Sequence, residues 1–295
     1  MNGAEGRGLD ISSRSCRNCG TELTGAYCAA CGQRNVPPNP TLRDFADEWF
    51  NEILHWDGKL PSTLKALMLK PGLLTVDFMA GKRVRWLSPL RIYLICSVAY
   101  FLTGPLIERA TGFRQEMVAE IKVTGDSAER ILLSDSVAFV NDPEVLANPL
   151  FQAIGVGRMW YIANNPSVWQ DAYTKAIPKA MFLLLPFFAL LTTVAWRTTG
   201  MRYPAHLAFA FHVHAAFMAA LILPTIIEPF GVLWLVIATQ LGVFGYSTWY
   251  AIAAFKRALG GTTREVLWRS TVVGLLYLPP ALVLTLIATV LAVRA

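Results

Sequence analysis

Charge is the scarcest commodity in this sequence. Of 295 residues only 16% are charged, against 54% hydrophobic, whereas soluble domains carry about 25% charged residues. That shortage, with a mean hydropathy of +0.43, excludes an ordinary soluble domain and places much of the chain in lipid. Cysteine is scarce as well: there are five, too few for a disulfide scaffold in a chain of this length. Residues 1–15 are rich in Gly, Ser and charge and lack an apolar h-region, so they read as a disordered tail and not as a signal peptide. There is no Walker motif, no GxGxxG after a strand, no GxSxG and no HExxH. An aspartate pair of the phosphoryl-transfer kind is also missing. These absences weigh against an enzyme.

Four of the five cysteines stand together as CRNCGTELTGAYCAACG, residues 16–32. Each CxxC puts two sulfurs on one tight turn, and the glycine after each pair permits the positive φ that the turn needs. Two such knuckles supply Cys16, Cys19, Cys28 and Cys31 to one tetrahedral Zn²⁺. The competing readings are two disulfides or a redox pair. A redox CxxC normally occurs once, beside a βαβ pattern, and none is found here. The fifth cysteine, Cys96, lies in an apolar run and reads as a small buried hydrophobe.

After the ribbon (16–36), VPPNP is a stiff spacer whose prolines forbid a helix. Residues 41–85 read as amphipathic interfacial helices. The first opens on Thr41 and Asp44, spaced as a capping box, and carries Leu42, Phe45, Trp49, Ile53 and Trp56 on one face. HWDGK is a turn, Pro61 suits the start of a second helix, and KPG at 70–72 ends it. A third short helix follows to about Met79. GKRVRW then places Lys82, Arg83, Arg85 and Trp86 directly before an apolar run, the composition of a membrane interface. Asp57 reads as a turn residue or as an ion-pair partner for Lys82, Arg83 or Arg91.

The membrane domain, 86–295, is expected to hold about five spans near 86–107, 178–196, 205–227, 230–255 and 268–293, each near the ~20 residues that cross a bilayer. Arg91 is placed to snorkel from the first. Lys and Arg dominate the loop at 196–204 and the loop after Phe255, and acids outnumber bases in the segment 108–177. The positive-inside rule therefore sets the N-terminus in the cytosol and the C-terminus outside. That placement keeps the knuckle cysteines reduced. The basic excess, +6 overall, fits cytoplasmic loops on an anionic leaflet better than nucleic acid.

His206, His212 and His214 lie inside the third of these spans. On a helix His206 and His214 are about 80° apart around the axis and ~12 Å apart along it, while His212 and His214 point nearly opposite ways. None has the i, i+4 spacing of a metal pair. Interhelical hydrogen bonding by neutral imidazoles is one reading. A proton or ion path is the other.

Several stretches together carry a family resemblance: CRNCG…YCAACGQ, the Asp57–Lys59 turn, TLKALMLKPG, GKRVRWLSPLRIYL, LPFFALL, Tyr203 with His206, and HVHAAF. The chain resembles a bacterial membrane protein family catalogued as domain of unknown function 3667. Ala205 departs from the pattern, which has an acidic residue before the histidine. The resemblance implies a zinc ribbon on a multi-span inner-membrane domain and supplies no activity. The expected protein is thus an all-α integral membrane protein with a small N-terminal ribbon, holding structural zinc and contacting lipid and a protein partner at the ribbon. A non-enzymatic adaptor or assembly factor is the leading function. A transporter or channel using the three histidines is the alternative, and a membrane enzyme on lipid or envelope substrates, sited near Asp57 and Arg91, is third.

Overall fold

A computed structural model describes residues 14–35, 41–42, 58–112 and 166–292. Most of the expected helix over 41–56, of the N-terminal tail and of the segment between the first two spans, together with Asp57 and the proline spacer, lies outside these residues. Among the described residues the order is a ribbon without regular strands, then α1 (Leu60–Leu69), α2 (Leu73–Met79), α3 (Pro89–Thr111), α4 (Pro166–Ala195), α5 (Tyr203–Ile227), α6 (Leu233–Leu259) and α7 (Thr263–Ala292).

Local chemistry sets the two short helices. Pro61 occupies the first turn of α1, where its missing N–H costs nothing. The hydroxyls of Ser62 and Thr63 both donate to the Lys59 carbonyl at 2.8 Å. Gly72 separates α1 from α2 with φ +75°, and a Cβ there would lie 2.9 Å from the Ala254 carbonyl oxygen of α6. Glycine is required at this point both for its conformation and for the close approach. The neighbouring Pro71 carbonyl accepts a 3.1 Å bond from Arg257 Nη1, so the KPG turn is clamped onto the end of α6.

Among the described residues, four helices are long and apolar enough to cross a membrane: Pro89–Thr111, Lys175–Ala195, Tyr203–Phe230 and Thr263–Thr289. The 27-residue α6, which the sequence reading counts as a span, is not among them. Gln240, Thr239, Ser247, Thr248 and its glycines and aromatics dilute its aliphatic residues. The helix of the second span begins at Pro166, before the apolar stretch that starts near Lys175.

Two compact units divide the chain. One comprises Met1–Tyr100 with Leu185–Tyr277, and the other Phe101–Leu184 with Leu278–Ala295. In the first unit α5 is central, packing on α6, α2 and α1. It is lined by small and aromatic residues, with Ala205, Ala208, Phe209, Ala210, Ala215 and Ala216 almost fully buried. Phe209 meets Phe255 of α6 edge-on at 4.9 Å and Phe188 at 6.5 Å, contacts of the kind aromatic pairs favour. Tyr203 donates to the Pro186 carbonyl at 3.0 Å, fixing the start of α5 against the preceding helix. The second unit takes in the later part of α3, the early part of α4 and the end of α7. Pro279 and Pro280 are accommodated inside α7 without ending it.

Candidate metal centre and its docking loop

The ribbon consists of two knuckles with the same hydrogen bonds, twelve residues apart. Cys16 N–H reaches the Thr21 carbonyl (2.7 Å) and Gly20 N–H the Cys16 carbonyl (2.8 Å); Cys28 N–H reaches Gln33 and Gly32 N–H reaches Cys28, both at 2.9 Å. An isolated antiparallel bridge closes each knuckle, Ser15 with Glu22 and Tyr27 with Arg34. Gly20 and Gly32 have φ +79° and +70°, the left-handed turn that lets each pair of thiols face one side.

All four sulfurs lie within 4.8 Å of one another. Cys16 and Cys31 are 3.6 Å apart and Cys19 and Cys28 3.5 Å. A tetrahedron with metal–sulfur distances of ~2.3 Å has edges of ~3.8 Å, so the arrangement is near the size that one ion needs. The cysteines are free and not paired as disulfides. The two members of the first knuckle differ as acids. Burial pushes Cys16 up to about 11. A side-chain hydrogen bond with Thr21, at 3.3 Å, is the main influence that brings the exposed Cys19 down to about 6. Cys19 is thereby the readiest thiolate of that pair. Four soft thiolates in this geometry can hold a metal ion.

The ribbon docks on the loop that precedes α3 through one side chain. Gln33, only 3% exposed, donates from Nε2 to the Gly81 carbonyl at 2.7 Å. Its Oε1 accepts from the backbone N–H of Arg83 (2.9 Å) and of Val84 (3.3 Å). An amide that meets both a backbone acceptor and two donors is held in one orientation. Gly81, at φ +82°, also lies close to Arg17 of the first knuckle: a Cβ there would fall 2.8 Å from Arg17 Cδ.

Beneath this loop Asp77 of α2 gathers the interface residues. Its Oδ1 accepts from Lys82 Nζ at 2.9 Å and its Oδ2 from Trp86 Nε1 at 2.8 Å, with Arg85 3.8 Å away. Burial by itself would push the pKa of Asp77 up. The bonds from Trp86 and Lys82 and the charges of Lys82 and Arg85 overturn that and hold the carboxyl below its ordinary range. Arg83 stacks over Phe78 at 3.5 Å. Leu87 N–H reaches Thr63 Oγ1 at 3.3 Å.

The histidines do not converge on one site. His212 Nδ1 is 2.9 Å from Thr75 Oγ1 on α2. His214 lies 2.8 Å from the Ala210 carbonyl through Nδ1 and 3.0 Å from Tyr277 Oη through Nε2, with Phe188 edge-on at 5.1 Å. His206 is fully buried, and neither ring nitrogen has a hydrogen-bond partner among the described residues. Arg91 sits half-buried in the first turn of α3. Lys82, one of the three cations expected as alternatives for Asp57, is bonded to Asp77, and Asp57 lies outside the described residues. Sequence reasoning assigned no role to Gln33, Asp77, Thr75 or Tyr277. The available signals were a Gln directly after a CxxCG and an Asp within the short apolar helix LLTVDFM.

A cluster of four cysteines that could hold a metal ion is thus fastened beside the first of several helices long and apolar enough to cross a membrane. Residues 57–101 match the family model described as protein of unknown function (DUF3667), so over this stretch the chain is similar to that family. The match starts beside α1 and covers α2, the Gly81–Ser88 loop and the first half of α3, which are the elements that carry the Gln33 contacts and the Asp77 cluster. No curated protein and no solved structure matches the chain.

Proposed function

We propose that the chain is an integral inner-membrane adaptor or assembly factor of a bacterium, which presents a zinc ribbon in the cytosol at a fixed place beside the membrane. Zinc is the ion favoured by four thiolates in a tetrahedral, closed set. With α6 as a fifth span, the N-terminus is cytosolic and the C-terminus external, following the Lys and Arg of the loops. The observation that carries this reading is the Gln33 fork. A catalytic or transport protein needs no such fixture for a peripheral ribbon, whereas a recognition module gains from it, because an oriented surface loses less entropy on binding. Tyr27, 63% exposed on the second knuckle, is an aromatic suited to a protein partner. The deeply buried, separately bonded His212 and His214 fit pins between helices.

The test has two arms. Purified protein should contain about one zinc per chain, lost in Cys16→Ser/Cys19→Ser, since structural zinc supplies on the order of 10–16 kcal/mol to folding such a segment. A photo-crosslinker at Tyr27 should then give a discrete adduct in cells that the double variant abolishes. Zinc content unchanged by the substitutions refutes the metal site, and adducts unchanged by them refute the adaptor. One observation favours a transporter instead: the buried, unpartnered imidazole of His206. Under that reading His206→Ala, His212→Ala and His214→Ala combined abolish a flux in proteoliposomes. Under the adaptor reading the triple variant leaves crosslinking intact.

A further inference from the structure

Two pairs of sulfurs meet across the ribbon, and their members differ in what can reach them. Cys19 stands opposite Cys28 at 3.5 Å, and Cys16 opposite Cys31 at 3.6 Å. Cys19 is exposed and Cys31 half-buried, whereas Cys16 and Cys28 are only 4% and 2% exposed. We propose that the ribbon is an oxidative switch for a hydroperoxide: Cys19 is oxidised first, and Cys28 closes a disulfide on it. Half of the metal-binding set is thereby lost. The inference rests on the ribbon holding a metal ion and not on the adaptor role.

Access selects the first sulfur. Oxidants attack thiolates that solvent can reach, and metal ligation requires all four cysteines as thiolates, so exposure decides among them. Distance selects the second. Cys28 has to come only ~1.5 Å nearer to Cys19 to reach the ~2.05 Å of a disulfide bond. All five cysteines are free, so this is the reduced form. With hydrogen peroxide the Cys19 thiolate attacks one oxygen and the O–O bond breaks. A sulfenic acid forms, and the departing hydroxide takes a proton to become water. The Cys28 thiolate then attacks that sulfur, the S–O bond breaks, and a second hydroxide leaves as water. The sulfurs have lost the electron pair that the peroxide has gained. The backbone carries the change to the loop before α3. Cys28 N–H is bonded to the Gln33 carbonyl, and Gly32 N–H to the Cys28 carbonyl, both at 2.9 Å. Drawing Cys28 toward Cys19 therefore pulls on the turn that presents the Gln33 side chain to Gly81, Arg83 and Val84. Oxidation unseats the ribbon.

The test uses the full chain in detergent, loaded with zinc and carrying Cys96→Ser to remove the fifth thiol. Zinc content before treatment checks the metal site alone. Hydrogen peroxide should then release about one zinc per chain to a chromogenic chelator, and peptide mapping should find Cys19 joined to Cys28. Exchange of the Arg83 and Val84 amide hydrogens, both bonded to Gln33, should quicken about tenfold on oxidation. A dithiol with fresh zinc should slow it again. Cys19→His keeps a donor for zinc but cannot form the disulfide, and should hold its zinc under peroxide about tenfold longer. Zinc retained by the parent chain under peroxide, a disulfide within one knuckle, or equally fast release from Cys19→His overturns the switch and leaves the metal site standing. Should Cys19→His fail to bind zinc, the disulfide map of the parent chain decides alone. A chain without zinc at the outset overturns both. Unchanged exchange at residues 83 and 84 refutes the unseating.

Discussion

Helices α5 and α7 are nearly matched in mean hydropathy and opposite in placement. Their apolar windows have mean hydropathies of 1.8 and 2.1, yet 67% of the first is buried within the protein and 6% of the second. The more hydrophobic helix is the more exposed one. In water this would be paradoxical, but lipid tails are as apolar as leucine, and association of helices in a membrane relies on close packing and hydrogen bonds. Accordingly α5 presents alanines, whose backbones allow close approach, together with His212 and His214, which find partners on α2 and at Tyr277. In contrast, α7 turns Leu275, Leu276, Leu278, Leu282 and Val283 outward. The buried helix is written in small, aromatic and polar side chains, and the exposed one in large aliphatic ones.

Substitutions on the two helices put that contrast at risk. The largest effect is expected at Ala208 of α5, fully buried: Ala208→Leu should overpack the site and destabilise by about 1–3 kcal/mol, read as a fall in the thermal or SDS midpoint in detergent. A smaller loss is expected where α7 does meet α5. Tyr277→Phe deletes the 3.0 Å partner of His214 Nε2 and should cost roughly 0.6–1.7 kcal/mol, the range measured for hydrogen bonds between membrane helices. Least of all, Leu282→Ala, at a side chain 70% exposed, should change stability by no more than about 0.5 kcal/mol. If Leu282→Ala cost more than Ala208→Leu in the same assay, α7 would have to be covered by something other than lipid.

Much of the architecture was legible in the order of residues, for identifiable reasons. The ribbon is dictated by spacing: two CxxCG units cannot hide their sulfurs or their positive-φ glycines, and the four thiols converge as the motif requires. The long helices follow from hydropathy, which marks a stretch as apolar enough to cross a membrane. What hydropathy does not report is which helix is enclosed, because Ala208 and Leu282 are both apolar and their difference lies in size. Nor did it separate α6, whose length suits a span while its Gln240 and hydroxyl residues lower its apolar character. Asp77 was invisible for a different cause. Its bonding needs Lys82 and Trp86, which follow the helix, to be folded back over α2, and a seven-residue amphipathic pattern cannot contain that. Gln33 sits beside a motif strong enough to draw all attention to the cysteines, and its partners are backbone groups some fifty residues away.

That choice of partners has an evolutionary side. Gln33 reads the peptide groups of Gly81, Arg83 and Val84 and none of their side chains. As far as the ribbon is concerned, the side chains of residues 83 and 84 can therefore drift, retuning the surface for a different bilayer, while the ribbon keeps its seat. Conversely, the outer face of the ribbon can be rewritten for a new partner without disturbing the seat. One glutamine makes the two halves of the interface separately adjustable, so that a change in one need not wait for a compensating change in the other.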